Sequence, residues 1–215
     1  MKSLKKLAAY SALIEAALYI FGFAILLGPL NPGDVTLTLP ERLSFYNEHK
    51  ALYQLWILLI YVVFGVTLVF LSFALNGLMK EKNPILSGIA AIFGYIWSVL
   101  VIASGMLTNI GLSAALKHQS ENTEQANQLW LTIETIQNGL GGGVEVVGGI
   151  WVLLVTLAGH KANLFRKAFL ILGCLVGLAG ILTAIPGLSD LGAVFGLLQI
   201  VWFIWIGLKL VRNKD

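Results

Sequence analysis

Residues 134–148 place Glu134, Asn138, Gly141, Glu145 and Gly148 within about 40° of one face of a continuous helix. Two carboxylates and an amide on one face of an otherwise apolar helix can hold a cation, exchange a proton or orient a polar ligand. Other polar groups stand at the ends of neighbouring apolar stretches. His49 and Gln54 open the second stretch, Asn109 closes the third, and Glu15 lies inside the first. A charged side chain at the centre of a bilayer costs about 2.5–3.5 kcal/mol on insertion scales. No Lys or Arg lies within any of these stretches, so Glu15, Glu134 and Glu145 are expected to lack a cationic neighbour there. Each must be protonated, hydrogen-bonded in a wet cavity or paired with a bound cation.

His49, Gln54, Asn109, Glu134, Asn138 and Glu145 are therefore the candidate ligand-binding residues, with Glu134 and Glu145 deepest in a cavity built by spans 2, 3 and 4. His49 would gate that cavity, and Gln54, Asn109 and Asn138 would orient what enters it. The same His and carboxylates could serve a membrane-embedded enzyme by acid/base or metal chemistry. No HExxH or paired-His spacing supports a metal centre, and no metal ligand is assigned. His49, His118 and His160 fall at different levels, which leaves no pair to clamp a haem iron. No nucleophile motif of a hydrolase is present, so no catalytic residue is assigned and no cofactor is named.

The glycine-rich run at 139–143 is not a dinucleotide fingerprint, because no strand precedes it and Val144 stands where the last glycine belongs. Two readings stand. Glycine there allows close helix packing, or the helix is broken, as in transporters whose discontinuous helices build the binding site. Packing is the commoner arrangement and is preferred.

The elements that must position these groups are apolar helices. Of 215 residues 58% are hydrophobic and 12% are charged, against about 25% charged in soluble domains. Uncharged runs at 16–33, 51–79, 83–116, 168–189 and 191–208 match the roughly 20 residues a membrane helix needs. The expected fold is all-α: a compact bundle of six transmembrane helices in a single domain, residues 1–215. Its spans lie near 7–30, 51–79, 84–113, 129–158, 165–186 and 190–210, with outer loops 31–50 and 114–128.

Eleven of the fourteen basic residues fall at the N-terminus, the 2–3 and 4–5 turns and the C-terminus, from Lys2 to Lys214. Only Arg42, Lys50 and Lys117 lie on the other side. That bias puts both termini in the cytoplasm. It also explains the net charge of +3 as a topology signal, so a nucleic-acid partner is not expected. The Lys-rich N-terminus resembles a signal peptide, but Glu15 interrupts its apolar region and no small-x-small site follows. It is read as a retained span. The single cysteine, Cys174, lies in span 5 and leaves no intrachain disulfide or thiolate cluster. Gly28 to Asp34 forms a strong turn signal, Pro40-Glu41-Arg42 opens a short interfacial helix, and Tyr46, Tyr53 and Trp56 are placed in an outer aromatic belt.

Small residues mark the packing faces. Ser87, Ala91, Gly94, Ser98, Gly105 and Asn109 form a stripe on span 3, and Gly173 and Gly177 are extended by Gly180. Besides the bilayer and a small ligand or cation, a second copy or a membrane partner could dock on Gly173, Gly177, Gly192 and Gly196.

Asn138-Gly139, Gly148-Gly149-Ile150-Trp151-Val152-Leu153-Leu154, the turn Leu164-Phe165-Arg166-Lys167, then Leu170-Ile171-Leu172-Gly173 and Leu178-Ala179-Gly180 carry a resemblance. The chain resembles the bacterial six-helix membrane family called domain of unknown function 4386. The segment from Gly28 to Asp34 is similar to that family's outer turn after span 1, whereas the glycines at 139–143 depart from its pattern. The resemblance implies a six-helix fold in the bacterial inner membrane. It carries no activity, substrate or catalytic residue.

Overall fold

Apolar chain out of reach of water must satisfy its amides internally, and a helix does so within one segment. The computed structural model describes residues 2–33 and 37–212, and nearly all of them are helical. Two positions used above, Asp34 and Lys214, lie outside the described residues. In chain order the helices are α1 (Lys2–Leu27), α2 (Leu39–Glu48), α3 (Lys50–Ile57), α4 (Phe64–Met79), α5 (Pro84–Gln119), α6 (Thr123–Gln137), α7 (Val146–Lys161), α8 (Lys167–Leu182) and α9 (Leu191–Arg212). A π-helical turn, Leu58–Val63, joins α3 to α4 in one rod, and a second, Asn138–Gly142, follows α6. No strand occurs among the described residues.

Local chemistry sets the helix ends. Pro84 opens α5, where its missing N–H costs nothing, and Asn122 caps α6 by accepting the Gln125 N–H at 3.0 Å. Basic side chains close α5, α7 and α9 (Lys117, Lys161 and Arg212 among them), where they oppose the helix dipole. Glu41 Oε2 accepts from both the Thr38 N–H and hydroxyl, at 2.8 and 2.7 Å, which starts α2. Those two bonds hold the Glu41 carboxyl below its ordinary pKa.

Among the described residues five stretches are long and apolar enough to cross a membrane: Lys2–Leu27, Lys50–Met79, Pro84–Gln119, Thr123–Lys161 and Leu191–Arg212. The sixth apolar helix, α8, is shorter at 16 residues. The six elements close into a ring in which α1 meets α4, α4 meets α5, α5 meets α7, α7 meets α8, α8 meets α9 and α9 returns to α1. α6 lies along α5, and α2 rests on α6.

The ring encloses tryptophan. Trp97, Trp151 and Trp202 are fully buried, with centroids 5.6 Å (Trp97–Trp151) and 5.3 Å (Trp151–Trp202) apart. Large aliphatics such as Ile85, Val99, Ile110, Leu175 and Leu197 instead face outward, more than half exposed. That distribution suits a lipid solvent, in which tight packing rather than apolar burial holds helices together. Ser87, Ala91, Gly94, Ser98 and Gly105 are buried as the stripe predicts, and Asn109 is half-buried.

The closest approach joins α7 to α8. A β-carbon added at Gly149 would fall 2.6 Å from the Gly177 carbonyl oxygen and 2.8 Å from the Ile181 nitrogen. Gly173 sits against Thr156, and Gly196 against Tyr19 and Phe23 of α1. Gly173, Gly177 and Gly196 thus pack against helices of the chain itself, while Gly192 is half-buried.

Candidate functional site

α6 and α7 are not one helix. Inside the π turn, Gly141 adopts φ 123°, a conformation L side chains rarely reach, and the Asn138 carbonyl accepts the Gly143 N–H. α7 restarts at Val146, with Glu145 as its flanking residue. The Glu145 N–H donates to the Thr183 hydroxyl at 2.8 Å, and that hydroxyl donates to the Gly180 carbonyl at 2.6 Å. The Glu145 carbonyl accepts the Gly149 N–H at 2.8 Å. The preference for close packing at 139–143 is therefore corrected. Among the described residues nothing lies within 4 Å of where a β-carbon would sit at Gly139 or Gly141, whereas Gly142 lies against the Gln137 side chain and Gly143 against Asn138; it is Gly141, by its φ, that serves the break.

Two adjoining cavities meet at this break. The first, of about 260 Å³, is lined by Arg42, Tyr46, Tyr53, Trp130, Glu134, Gln137 and Asn138 among others. The second, of about 300 Å³, is lined by Glu145 and by rings that include Tyr19, Trp56, Tyr61, Phe64, Trp97 and Phe195. Leu26, Trp56, Tyr61 and Gly142 line both. At the seam the Gln137 side-chain amide donates to the Tyr61 hydroxyl at 2.6 Å. Tyr46, Tyr53 and Trp56, expected in an interfacial belt, turn inward instead and line these cavities. Tyr46, on α2, is pushed up by burial and by the Glu134 carboxylate, against the pull of Arg42, and so stays a neutral hydroxyl.

Glu134 corrects a second expectation. Arg42, from outside the apolar stretches, reaches it at 3.2 Å, with side-chain exposures of 38% and 18%. Glu134 is paired, whereas both oxygens of Glu15, Oε2 of Glu145, and the amide O and N of Gln199 are buried without partners. Arg42→Ala is expected to loosen α2 from α6, seen as faster hydrogen exchange across 39–48. A double-mutant cycle with Glu134→Gln should show coupling of about 1 kcal/mol, between surface and buried pairs. Strictly additive losses would show that the pair does not anchor α2.

The six sequence-derived candidates separate. Glu134 and Asn138 share the first cavity, and Glu145 lines the second. Gln54 and Asn109 bind each other: the Gln54 side-chain amide donates to the Asn109 backbone carbonyl at 3.2 Å and to Ser113 Oγ at 3.0 Å, while the Asn109 side-chain amide donates to the Gln54 backbone carbonyl at 3.3 Å, leaving Asn109 Oδ1 buried without a partner. They line an open groove with Leu55, Leu58 and Ile110, apart from the other two cavities. His49 lines none of the three cavities; its Nδ1 lies 3.0 Å from the Phe45 carbonyl and its ring packs on Phe45 at 4.5 Å. Among the described residues no three His, Cys, Asp or Glu side chains are grouped to hold a metal ion.

The model of the family "Domain of unknown function (DUF4386)" matches residues 7–210. The chain belongs to that family. No curated protein and no solved structure matches it. The DUF4386 match covers every described helix except the first turn of α1 and the last residues of α9, so both cavities lie within it. An apolar helical chain of this family is a membrane protein whose activity must be read from its site.

Sequence reasoning missed Arg42, Trp130, Tyr19, Tyr61, Phe64 and Phe195 as lining groups. The available signal was aromatic spacing, since Tyr53, Tyr61 and Phe64 fall on the buried face of the rod Lys50–Met79 once its π turn is allowed for.

Proposed function

We propose that this DUF4386 member is a bacterial inner-membrane protein with six spans and cytoplasmic termini, which binds or carries a small ligand or cation through a cavity open to the exterior. The observation that carries this reading is the two-part cavity at the helix break, with a glutamate oxygen buried and unpartnered beside it. Intramembrane ionisable groups usually mark a substrate or ion path, and discontinuous helices are where transporters place their sites.

The sixth span is α8. Its 16 residues extend about 24 Å at 1.5 Å per residue, short of a core of about 30 Å, a mismatch that tilting neighbours and local thinning accommodate. Leu4 touches the position of Gly77, and Leu13 that of Gly207, so the start of α1, the 80–82 turn and the end of α9 gather at one end. The positive-inside rule makes that end cytoplasmic. Glu145 precedes Lys161 by about 24 Å of helix, which places it nearer the outer boundary than the midplane.

Hydroxyl-radical footprinting on the purified protein tests whether the cavity is wet. Tyr53 and Tyr61 are only 9% and 8% exposed, while Trp151 and Trp202 are at 0%. Oxidation of the two tyrosines severalfold faster than the two tryptophans is expected. Equal protection of all four would contradict a water-filled path.

A further inference from the structure

Resting on the binding reading above, the chemistry of the second cavity narrows what enters it. We propose that this inner compartment is a binding site for a small organic ammonium ion, held by the Glu145 carboxylate and the surrounding aromatic rings. Its volume of about 300 Å³ lies at the small end of ligand pockets.

The rings form an unbroken series. Tyr19 meets Phe64 edge-on at 5.4 Å, Phe64 meets Trp97 at 5.5 Å, and Trp97 meets Phe195 at 6.1 Å. Of the other rings that line the compartment, Trp56 meets Tyr61 at 6.4 Å, with its Nε1 held by the Gly22 carbonyl at 3.0 Å. The quadrupoles of such rings attract a desolvated ammonium, and cages of this kind recognise quaternary ammonium groups. Glu145 supplies the countercharge: among the described residues no Lys, Arg or His lines the compartment, and the Glu145 Oε2 is buried with no hydrogen-bond partner.

Competing ligand classes fit worse. Calcium takes six to eight oxygen ligands and magnesium near-octahedral coordination, whereas one carboxylate and two phenols are the oxygen-bearing side chains here. An anion meets the Glu145 carboxylate with no cation beside it. A neutral apolar ligand leaves the buried Glu145 oxygen without a hydrogen-bond partner. Entry for a cation is not opposed, because Arg42 in the first cavity is neutralised by Glu134.

Calorimetric titration of the full-length protein in nanodiscs uses three probes: choline, its neutral isostere with a tert-butyl group in place of trimethylammonium, and potassium ion. Choline is expected to bind saturably, at least tenfold more tightly than the isostere. Glu145→Gln is expected to lower choline affinity at least tenfold and leave the isostere unchanged. Phe64→Leu, which keeps an apolar side chain but removes a ring, should lower choline affinity about threefold. It carries the test if the Glu145 variant fails to fold.

Ala193→Cys, at a small residue lining the same compartment, separates the two levels of the argument when Cys174 is replaced by Ser. A trimethylammonium-bearing thiosulfonate should modify it at least tenfold faster than a sulfonate-bearing one. Equal rates, equal binding of the isostere, or binding of potassium in preference to choline would overturn the ammonium assignment while leaving the cavity reading intact. A cysteine at 193 that reacts with neither reagent, together with no binding of any probe, would overturn both.

Discussion

Gly149→Leu is expected to prevent the bundle from forming a stable monodisperse species in detergent, and Gly149→Ala to lower its melting temperature sharply. The cause is backbone against backbone. A β-carbon at Gly149 meets the Gly177 carbonyl oxygen at 2.6 Å, the Ile181 nitrogen at 2.8 Å and the Gly180 carbonyl carbon at 3.1 Å. Side chains can rotate away from an intruder, but these helix atoms cannot. Seen from α8, a β-carbon at Gly180 would lie 2.9 Å from both the Glu145 carbonyl oxygen and the Gly149 Cα. The two helices must therefore separate. Overpacking a core costs about 1–3 kcal/mol where side chains can adjust, and the upper end or beyond is expected here. At about 2–4 °C per kcal/mol for a chain near this size, Gly149→Ala should lower the midpoint by roughly 6 °C or more. Gly88, with nothing within 4 Å of an added β-carbon, is the matched control. Gly88→Ala should be neutral or stabilising by up to about 1 kcal/mol, since alanine is the better helix former. A Gly149→Ala midpoint equal to that of Gly88→Ala would contradict this packing.

The second large effect is conformational rather than steric. Gly141 has open space on the side a β-carbon would take, but its φ of 123° lies outside what L residues readily adopt. A residue forced into such a conformation costs about 1–3 kcal/mol. Gly141→Val is expected to escape that cost by moving the backbone toward a continuous helix. The break is then lost, Glu145 is displaced from the inner compartment, and the radical labelling of Tyr61 falls. Gly139 has equally open space and no positive φ, so Gly139→Ala should leave labelling unchanged. Loss of labelling in both variants would mean that the glycines act through packing after all.

These two positions also show where the sequence was readable. The apolar runs, the basic turns and the short helix at Pro40 follow from composition and from proline and charge placement, and the helices stand where they point. Gly173, Gly177 and Gly180 were legible as a packing stripe because their spacing matches the helix period, and they do meet α7. The face of residues 134–148 was not legible in the same way. Placing Glu134 and Glu145 on one stripe assumes an even 100° per residue, and the π turn with Gly141 resets that phase. The two carboxylates consequently enter different cavities. Arg42, legible at the start of a short outer helix, was not legible as a countercharge for a related reason: it lies outside the apolar stretches and reaches Glu134 from α2, which folds back over α6. Gln54 and Asn109 carry the polarity of site residues, but each side-chain amide donates to the other's backbone carbonyl across α3 and α5, a pairing that depends on a helix contact no spacing within either stretch reveals.

Sided chemical access to Asn138 tests the central claim most directly. In intact cells, with Cys174 replaced by Ser, Asn138→Cys should react with a membrane-impermeant thiol reagent added outside. Reaction should be much faster than for Ser98→Cys, which lies fully buried in α5. Reactivity of Asn138→Cys only in inverted vesicles, or in neither orientation until the protein is denatured, would contradict an outward-facing cavity at the helix break.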